Sequence, residues 1–392
     1  MGKLVVALAF VFSFLCFNNN VWGQAEITSG AIQGTVVDEK GGAVPDANVE
    51  VKNVDTNLSR TSTTGPEGQY EFRALPPGRY TVTIAKPGFA TSVQENATLT
   101  VGQTMTLPVT VKVSAAAEQI VVTATPTVVD TVDSVSSSTL NDISVAETPV
   151  LGRKFEDLLT LTPGVGIVQG PDGDEINFNG QRGIFNNISM DGGDYNNGMF
   201  GEQLGGQRAA IDITLDAVKE FQVVAAGANA EFGRTAGGIV NVVTKSGTNT
   251  LHGSAFEYQR LEALSSSTSD GKPLTNFKRE QFGGTLGGPI IKDKMFFFGA
   301  GEGIFEDLTR ANLSASMGSC PVTTPVVGAN DAIIASTPEC QRLALLNFYQ
   351  TTFNDTEGNP VNHPIRNGTG LGRLDWTITP KNAFSISYDF DY

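Results

Sequence analysis

The residues from Ala383 to Tyr392 alternate without a break. Phe384, Ile386, Tyr388, Phe390 and Tyr392 are apolar, and Ser385, Ser387, Asp389 and Asp391 stand between them. Side chains on an extended backbone point to opposite faces in turn, so this stretch specifies a strand with one greasy and one wet face. Leu374, Trp376 and Ile378 alternate in the same way with Arg373, Asp375 and Thr377, and earlier strands are expected at Ser254 to Arg260, Glu280 to Gly288 and Met295 to Phe305. A sheet of such strands suits lipid on one side and a watery lumen on the other, the pattern of a membrane-crossing β-barrel. Hydropathy does not reveal it, because no segment beyond the N-terminus approaches the ~20 apolar residues of a spanning helix.

Connection lengths carry the topology. Tight turns are expected at Pro289 to Lys294 and at Thr379-Pro380-Lys381-Asn382, and long connections at Leu261 to Lys278 and Asp307 to Thr369. Barrels of outer membranes have short periplasmic turns and long outer loops, which fits this order. Phe296-Phe297-Phe298 follows the first tight turn, where an aromatic girdle belongs, and Gln341 to Tyr349 reads as helical. Roughly five strands fit into 248–392. Five cannot close a barrel, and an open edge in lipid leaves backbone groups unsatisfied, so the sequence is expected to be a piece of a longer reading frame.

The N-terminus reads as a secretory signal over residues 1–23. Lys3 supplies the positive charge, Leu4 to Phe17 the apolar core, and Val21-Trp22-Gly23 a cleavage site before Gln24. Cys16 leaves with it. Cys320 and Cys340 remain in an exported chain, in the second outer loop, and a disulfide between them is expected. Zinc is a poor alternative, since His252 and His363 lie far off in sequence and no Cys-x-x-Cys exists. The formal charge of −15 and pI of about 4.6 argue against nucleic acid and anionic headgroups as partners. No Gly-x-Ser-x-Gly elbow or metal cluster is present, so neither catalytic residues nor a cofactor is expected and an enzyme is disfavoured.

Residues 27–113 alternate short β-prone runs with Gly/Pro turns: Ile32 to Val37, Ala47 to Val51, Gln69 to Phe72 and Arg79 to Ile84. That spacing points to a small β-sandwich. The phrases GTVVDEKGGAVPDANVEV and GPEGQYEFRALPPGRYTVTIAKPGF resemble the carboxypeptidase-regulatory-like domain, which implies a prealbumin-like sandwich. The segment has no histidine, so the metallopeptidase suggested by that name is not expected. Folds of this group are also described as carbohydrate-binding-like. Tyr70, Phe72 and Tyr80 are the aromatics available for sugar stacking, with core packing as the alternative.

Next comes a short β-prone run, Glu118, Gln119, Ile120, Val121, Val122, Thr123, Ala124. Two readings stay open: the last strand of the sandwich, or a strand offered to another protein's sheet edge by β-augmentation. It resembles the TonB box of TonB-dependent outer-membrane receptors.

Residues 126–247 contain, in order, a helix at Arg153 to Leu161 closed by Pro163-Gly164, the pair Arg182-Gly183, a strand ending at Asp191-Gly192, the run Ala217 to Val224, Phe232-Gly233, and Gly237-Gly238 leading into Asn241, Thr244 and Lys245. This ordered set resembles the plug domain of TonB-dependent receptors. The resemblance implies a polar plug that hydrogen-bonds to the barrel wall, with Arg182, Glu220, Glu231 and Arg234 as candidates for those bonds and solvated surface charge as the alternative for each. A phosphate loop is rejected, because Lys245-Ser246 follows a strand instead of opening a helix. FGGTLGGPIIKDKMFFFGAGEG resembles the Oar-like subgroup of the same receptors.

The fold expected is mainly β: a prealbumin-like sandwich, an α+β plug, then about five antiparallel strands of an incomplete outer-membrane barrel. The resemblance implies an importer of a small or oligomeric nutrient, seated in outer-membrane lipid and energised by a TonB-like inner-membrane protein. A surface adhesin anchored by the barrel and a sugar-binding sandwich are the alternatives.

Overall fold

A computed structural model of the chain describes residues 28–114, 119–123, 136–150, 153, 155–170, 173–196, 213–228, 233, 235–266, 275–310, 326–327, 333–334, 345, 348–354, 361–362, 364–379 and 382–392. The signal segment, Glu118, Ala124, Glu231, Phe232, Arg234, Cys320, Cys340 and His363 lie outside them.

The sandwich has two sheets. One joins β1 (Gly30–Asp38), β4 (Gln69–Leu75), β7 (Thr104–Thr106) and β8 (Val109–Val111), with β1 paired to the other three. The other runs β3-β2-β5-β6-β9, from β3 (Ser59–Thr63) through β2 (Asn48–Asn53), β5 (Gly78–Ala85) and β6 (Thr91–Leu99) to β9 (Gln119–Thr123). Burial alternates along β2 and β5, so Val49, Val51, Tyr80, Val82 and Ile84 face Ile32, Val36, Met105 and Leu107 across a common core. Each such side chain contributes about 1.5–3 kcal/mol when fully buried. Tyr70, Phe72 and Tyr80 all belong to this core, at 4%, 6% and 0% exposure. The Tyr70 hydroxyl donates to Leu107 O at 2.7 Å and that of Tyr80 to Pro76 O at 2.5 Å, which satisfies the polar tips inside. None of the three is presented to a sugar.

In the plug segment, β10 (Ser136–Leu140) leads to the short helix Asp142–Glu147, capped by Asn141, whose side chain accepts from Ser144 N–H. The helix at Phe155–Leu159 buries Phe155, Leu158 and Leu159. The polar stretch after it forms a hairpin of β11 (Val165–Gly170) and β12 (Gly173–Phe178). A five-stranded sheet follows the order β10-β15-β16-β13-β14, with β13 (Asn187–Met190), β14 (Gly193–Asp194), β15 (Val218–Ala226) and β16 (Ile239–Thr244). β16 is buried along its whole length, pairing antiparallel with β15 and parallel with β13.

The final sheet has the order β17-β18-β19-β23-β24: β17 (His252–Leu261), β18 (Thr275–Ile291), β19 (Met295–Arg310), β23 (Ile365–Thr379) and β24 (Asn382–Asp391). The two-residue strands β20 (Val326–Val327), β21 (Ile333–Ile334) and β22 (Val361–Asn362) fall between β19 and β23. Three strands run to 15–17 residues, well past the expected bounds. Pro289 lies inside β18, and the first tight turn is only the span from Lys292 to Lys294. Phe282, Leu286 and Ile290 are exposed on one face of β18, and Arg279 and Gln281 are sheltered on the other. Period two also corrects the girdle. Phe296 and Phe298 are each 2% exposed and turn inward, which leaves only Phe297 of that triplet on the outward side.

Candidate functional site

Asp191 and Gly192 form the two-residue loop between β13 and β14, with φ of 48° and 82°. Asp-Gly is a favoured pair where both central residues need positive φ, as in a type I′ hairpin turn. The turn sets the Asp191 carboxylate over the end of β16. Its Oδ1 accepts from Thr244 N–H at 3.0 Å and its Oδ2 from the Thr244 hydroxyl at 2.6 Å. Arg373 of β23 reaches the same place. Its Nη1 lies 3.0 Å from Asp191 Oδ1 and 2.9 Å from Thr244 Oγ1. Its Nε and Nη2 bind Asp375 at 2.9 and 3.0 Å. One guanidinium thus holds two carboxylates, with all three side chains 15–21% exposed. The sequence placed Asp191 and Thr244 in separate motifs, and the structure joins them on an arginine it had not singled out.

Gly237 and Gly238 are small for a steric reason. A Cβ on Gly238 would overlap the Phe178 ring, and one on Gly237 would press on Asn186 Oδ1. Ala236 and Gly237 also donate their N–H groups to Phe185 O. Asn241 is fully buried and accepts from Ser189 Oγ at 3.1 Å. Gly183 is buried, Gly233 O accepts from Asn187, and Lys245 N–H donates to Ala217 O.

Of the expected wall contacts, Glu231 and Arg234 lie outside the described residues, and Glu220 needs correction. Arg182 is exposed at the start of a 3-10 turn. Glu220 is 4% exposed and turns toward the sandwich, where its carboxylate accepts from Val101 N–H at 2.8 Å. Burial pushes Glu220 up to about 7, against the opposing pull of Lys219 and the Val101 amide. The Lys219 ammonium donates to Pro77 O, and burial lowers its pKa. The reason is position: β15 pairs on both sides within the plug sheet, and its first half lies against the sandwich turns.

The described part of the β-prone run, Gln119 to Thr123, is β9, paired parallel to β6 in the register Thr91↔Gln119, Val93↔Val121 and Glu95↔Thr123. It therefore sits as the end strand of the sandwich sheet, the first of the two readings. Val121 and Val122 are 55% and 46% exposed on it. The second reading keeps a physical basis, because an end strand has a second backbone edge.

Residues 31–114 match the carboxypeptidase regulatory-like domain family, and residues 243–392 match the outer membrane beta barrel domain family. The chain is 31% identical over 297 residues to the TonB-dependent transporter Oar of Myxococcus xanthus, covering 71% of this chain and 27% of that protein. It spans about a quarter of that relative's length. Among solved structures it is similar to the siderophore receptor PirA of Pseudomonas aeruginosa, at 16% identity and TM-score 0.40 over 65% of this chain and 33% of that one. It is also similar to the outer membrane transporter YddB of Escherichia coli, at 12% identity and TM-score 0.43 over 65% and 33%. Residues 243–392 thus carry an outer membrane beta barrel domain and residues 31–114 a carboxypeptidase regulatory-like domain, in a chain similar in sequence to the TonB-dependent transporter Oar.

Proposed function

We propose that this chain is the N-terminal portion of an energy-coupled importer that carries an extracellular nutrient across the outer membrane. The observation that carries the reading is the Asp191–Thr244–Arg373 cluster, in which two plug motifs close on a strand of the two-faced sheet. A plug fastened to its wall by a few polar bonds can be released by modest work, since water replaces each bond lost. The named function of the Oar relative supports the same reading. β9 is the strand an inner-membrane energy-transducing protein of the TonB type would engage by β-augmentation, and no catalytic step is assigned.

The test uses Val122→Cys, an exposed position on β9, in cells that hold a TonB-type protein with cysteines along its periplasmic strand. A disulfide cross-link dependent on residues 118–124 is expected. Cells with those residues deleted should keep ligand on their surface and lose energised uptake. Uptake unchanged by the deletion overturns the coupling through β9, and ligand held on the surface with no energised uptake in the undeleted protein favours a barrel-anchored adhesin.

A further inference from the structure

The N-terminal sandwich carries β9 at the end of one sheet and meets β15 at its turns, besides the bonds of Asp55 and Asn57 to Asn249 and Asp293. On one side, five residues of β6 pair with β9. On the other, the same β6 ends at Leu99, and Val101, two residues later, donates its N–H to the buried Glu220 carboxylate of β15. Gly102 has φ of 67° and packs so close to Gln222 that a Cβ would overlap its amide. Pro77, just before β5, accepts from the Lys219 ammonium. The receiving strand β15 is flanked in the plug sheet by β10 and β16.

We propose that the sandwich is the mechanical coupler of this molecule. A pull on β9 crosses the parallel ladder into β6, passes the turn at Val101, and arrives at β15 through Glu220 and Lys219. The covalent route is poorly suited to the task. From Thr123 to Ser136 it runs through residues 124–135, and a tether of that length becomes taut only when its ends are about 40 Å apart. The route through β6 contains only direct hydrogen bonds and two residues of turn. Glu220 is a positioning residue in this scheme and touches no substrate. The inference rests on the importer reading and deepens it by giving the sandwich a task.

The experiment places a reporter, Ile188→Cys, in the plug of the native chain with Cys320 and Cys340 changed to Ser. Ile188 is 1% exposed, so maleimide reaches it only when the plug rearranges. A minor open state made dominant by an energised TonB-type partner should raise labelling by about tenfold or more. Lys219→Met with Glu220→Val should hold the rise under about twofold while cross-linking at Val122→Cys is unchanged, and Glu220→Gln, which still accepts from Val101, should restore it. A second arm locks β9 to β6 by a disulfide at Val93→Cys and Val121→Cys, read with the same reporter. The locked protein should still open. Opening that survives loss of both Lys219 and Glu220, or that stops on locking, overturns the coupler. Absence of both cross-link and opening in the native chain overturns the importer reading instead.

Discussion

Arg373 is shared between two carboxylates, and its neighbours are not equivalent. Without Asp191 the guanidinium still holds Asp375 in a two-pronged grip, and Thr244 loses the acceptors of its N–H and its hydroxyl. Without Arg373 two sheltered carboxylates are left facing each other with no cation. Asp191→Asn is therefore expected to cost about 1–3 kcal/mol and Arg373→Met about 3–5 kcal/mol. Urea unfolding in detergent checks the order, and equal costs would show that Asp191 is the sole partner that matters. At this scale the sequence was legible unevenly. Asp191-Gly192 and Gly237-Gly238 were visible, because positive φ and close approach restrict residue type. Arg373 was not, because an arginine at one position of an alternating strand looks like any other lumen-facing cation until β16 is set beside it.

The element that most departs from expectation is β15. Val218 to Ala226 reads as an ordinary strand, and nothing local distinguishes the face of Glu220 from a wet one. Its burial depends on sandwich turns more than a hundred residues earlier. The hairpin β11–β12 was hidden for another reason: Val165 and Ile167, and Ile176 and Phe178, alternate over only three residues each, with the polar and glycine-rich residues from Gln169 to Glu175 between them. Glu220 supplies a prediction here. Its folded value of about 7 lies above the usual 4.5, so between those values the folded chain holds a proton that the unfolded chain has lost. The contribution of Glu220 to stability is therefore fully present below about pH 4.5 and is lost as pH rises through the window to about 7. The groups acting on it are Lys219 and the Val101 amide, which oppose the shift, and Asp142, which adds to it. Glu220→Gln should flatten that part of the profile of the midpoint of thermal unfolding, and an unchanged slope would assign the titration elsewhere.

On the scale of the whole molecule, the sandwich and the two-faced sheet were both readable from periodicity, since apolar content at every second residue is what either architecture needs. The long strands were underestimated because their lumen-facing and glycine positions dilute the apolar signal near the ends. The outward positions make a prediction of their own. Ile386 is 54% exposed in the middle of β24, where it meets lipid in the outer membrane. Ile386→Arg should cost about 2–4 kcal/mol of folding free energy in a bilayer, while Ser387→Arg, on the other face, should cost much less. Folding titrations in vesicles compare the two, and equal penalties would deny the strand its two faces.

The cation that fastens the plug is encoded 182 residues after the carboxylate it fastens. During synthesis, then, the plug sequence leaves the ribosome long before its clasp does, and Asp191 stays unclasped until β23 has been made and laid into place. The closing of that clasp is the step that first ties the Asp191 turn to β23.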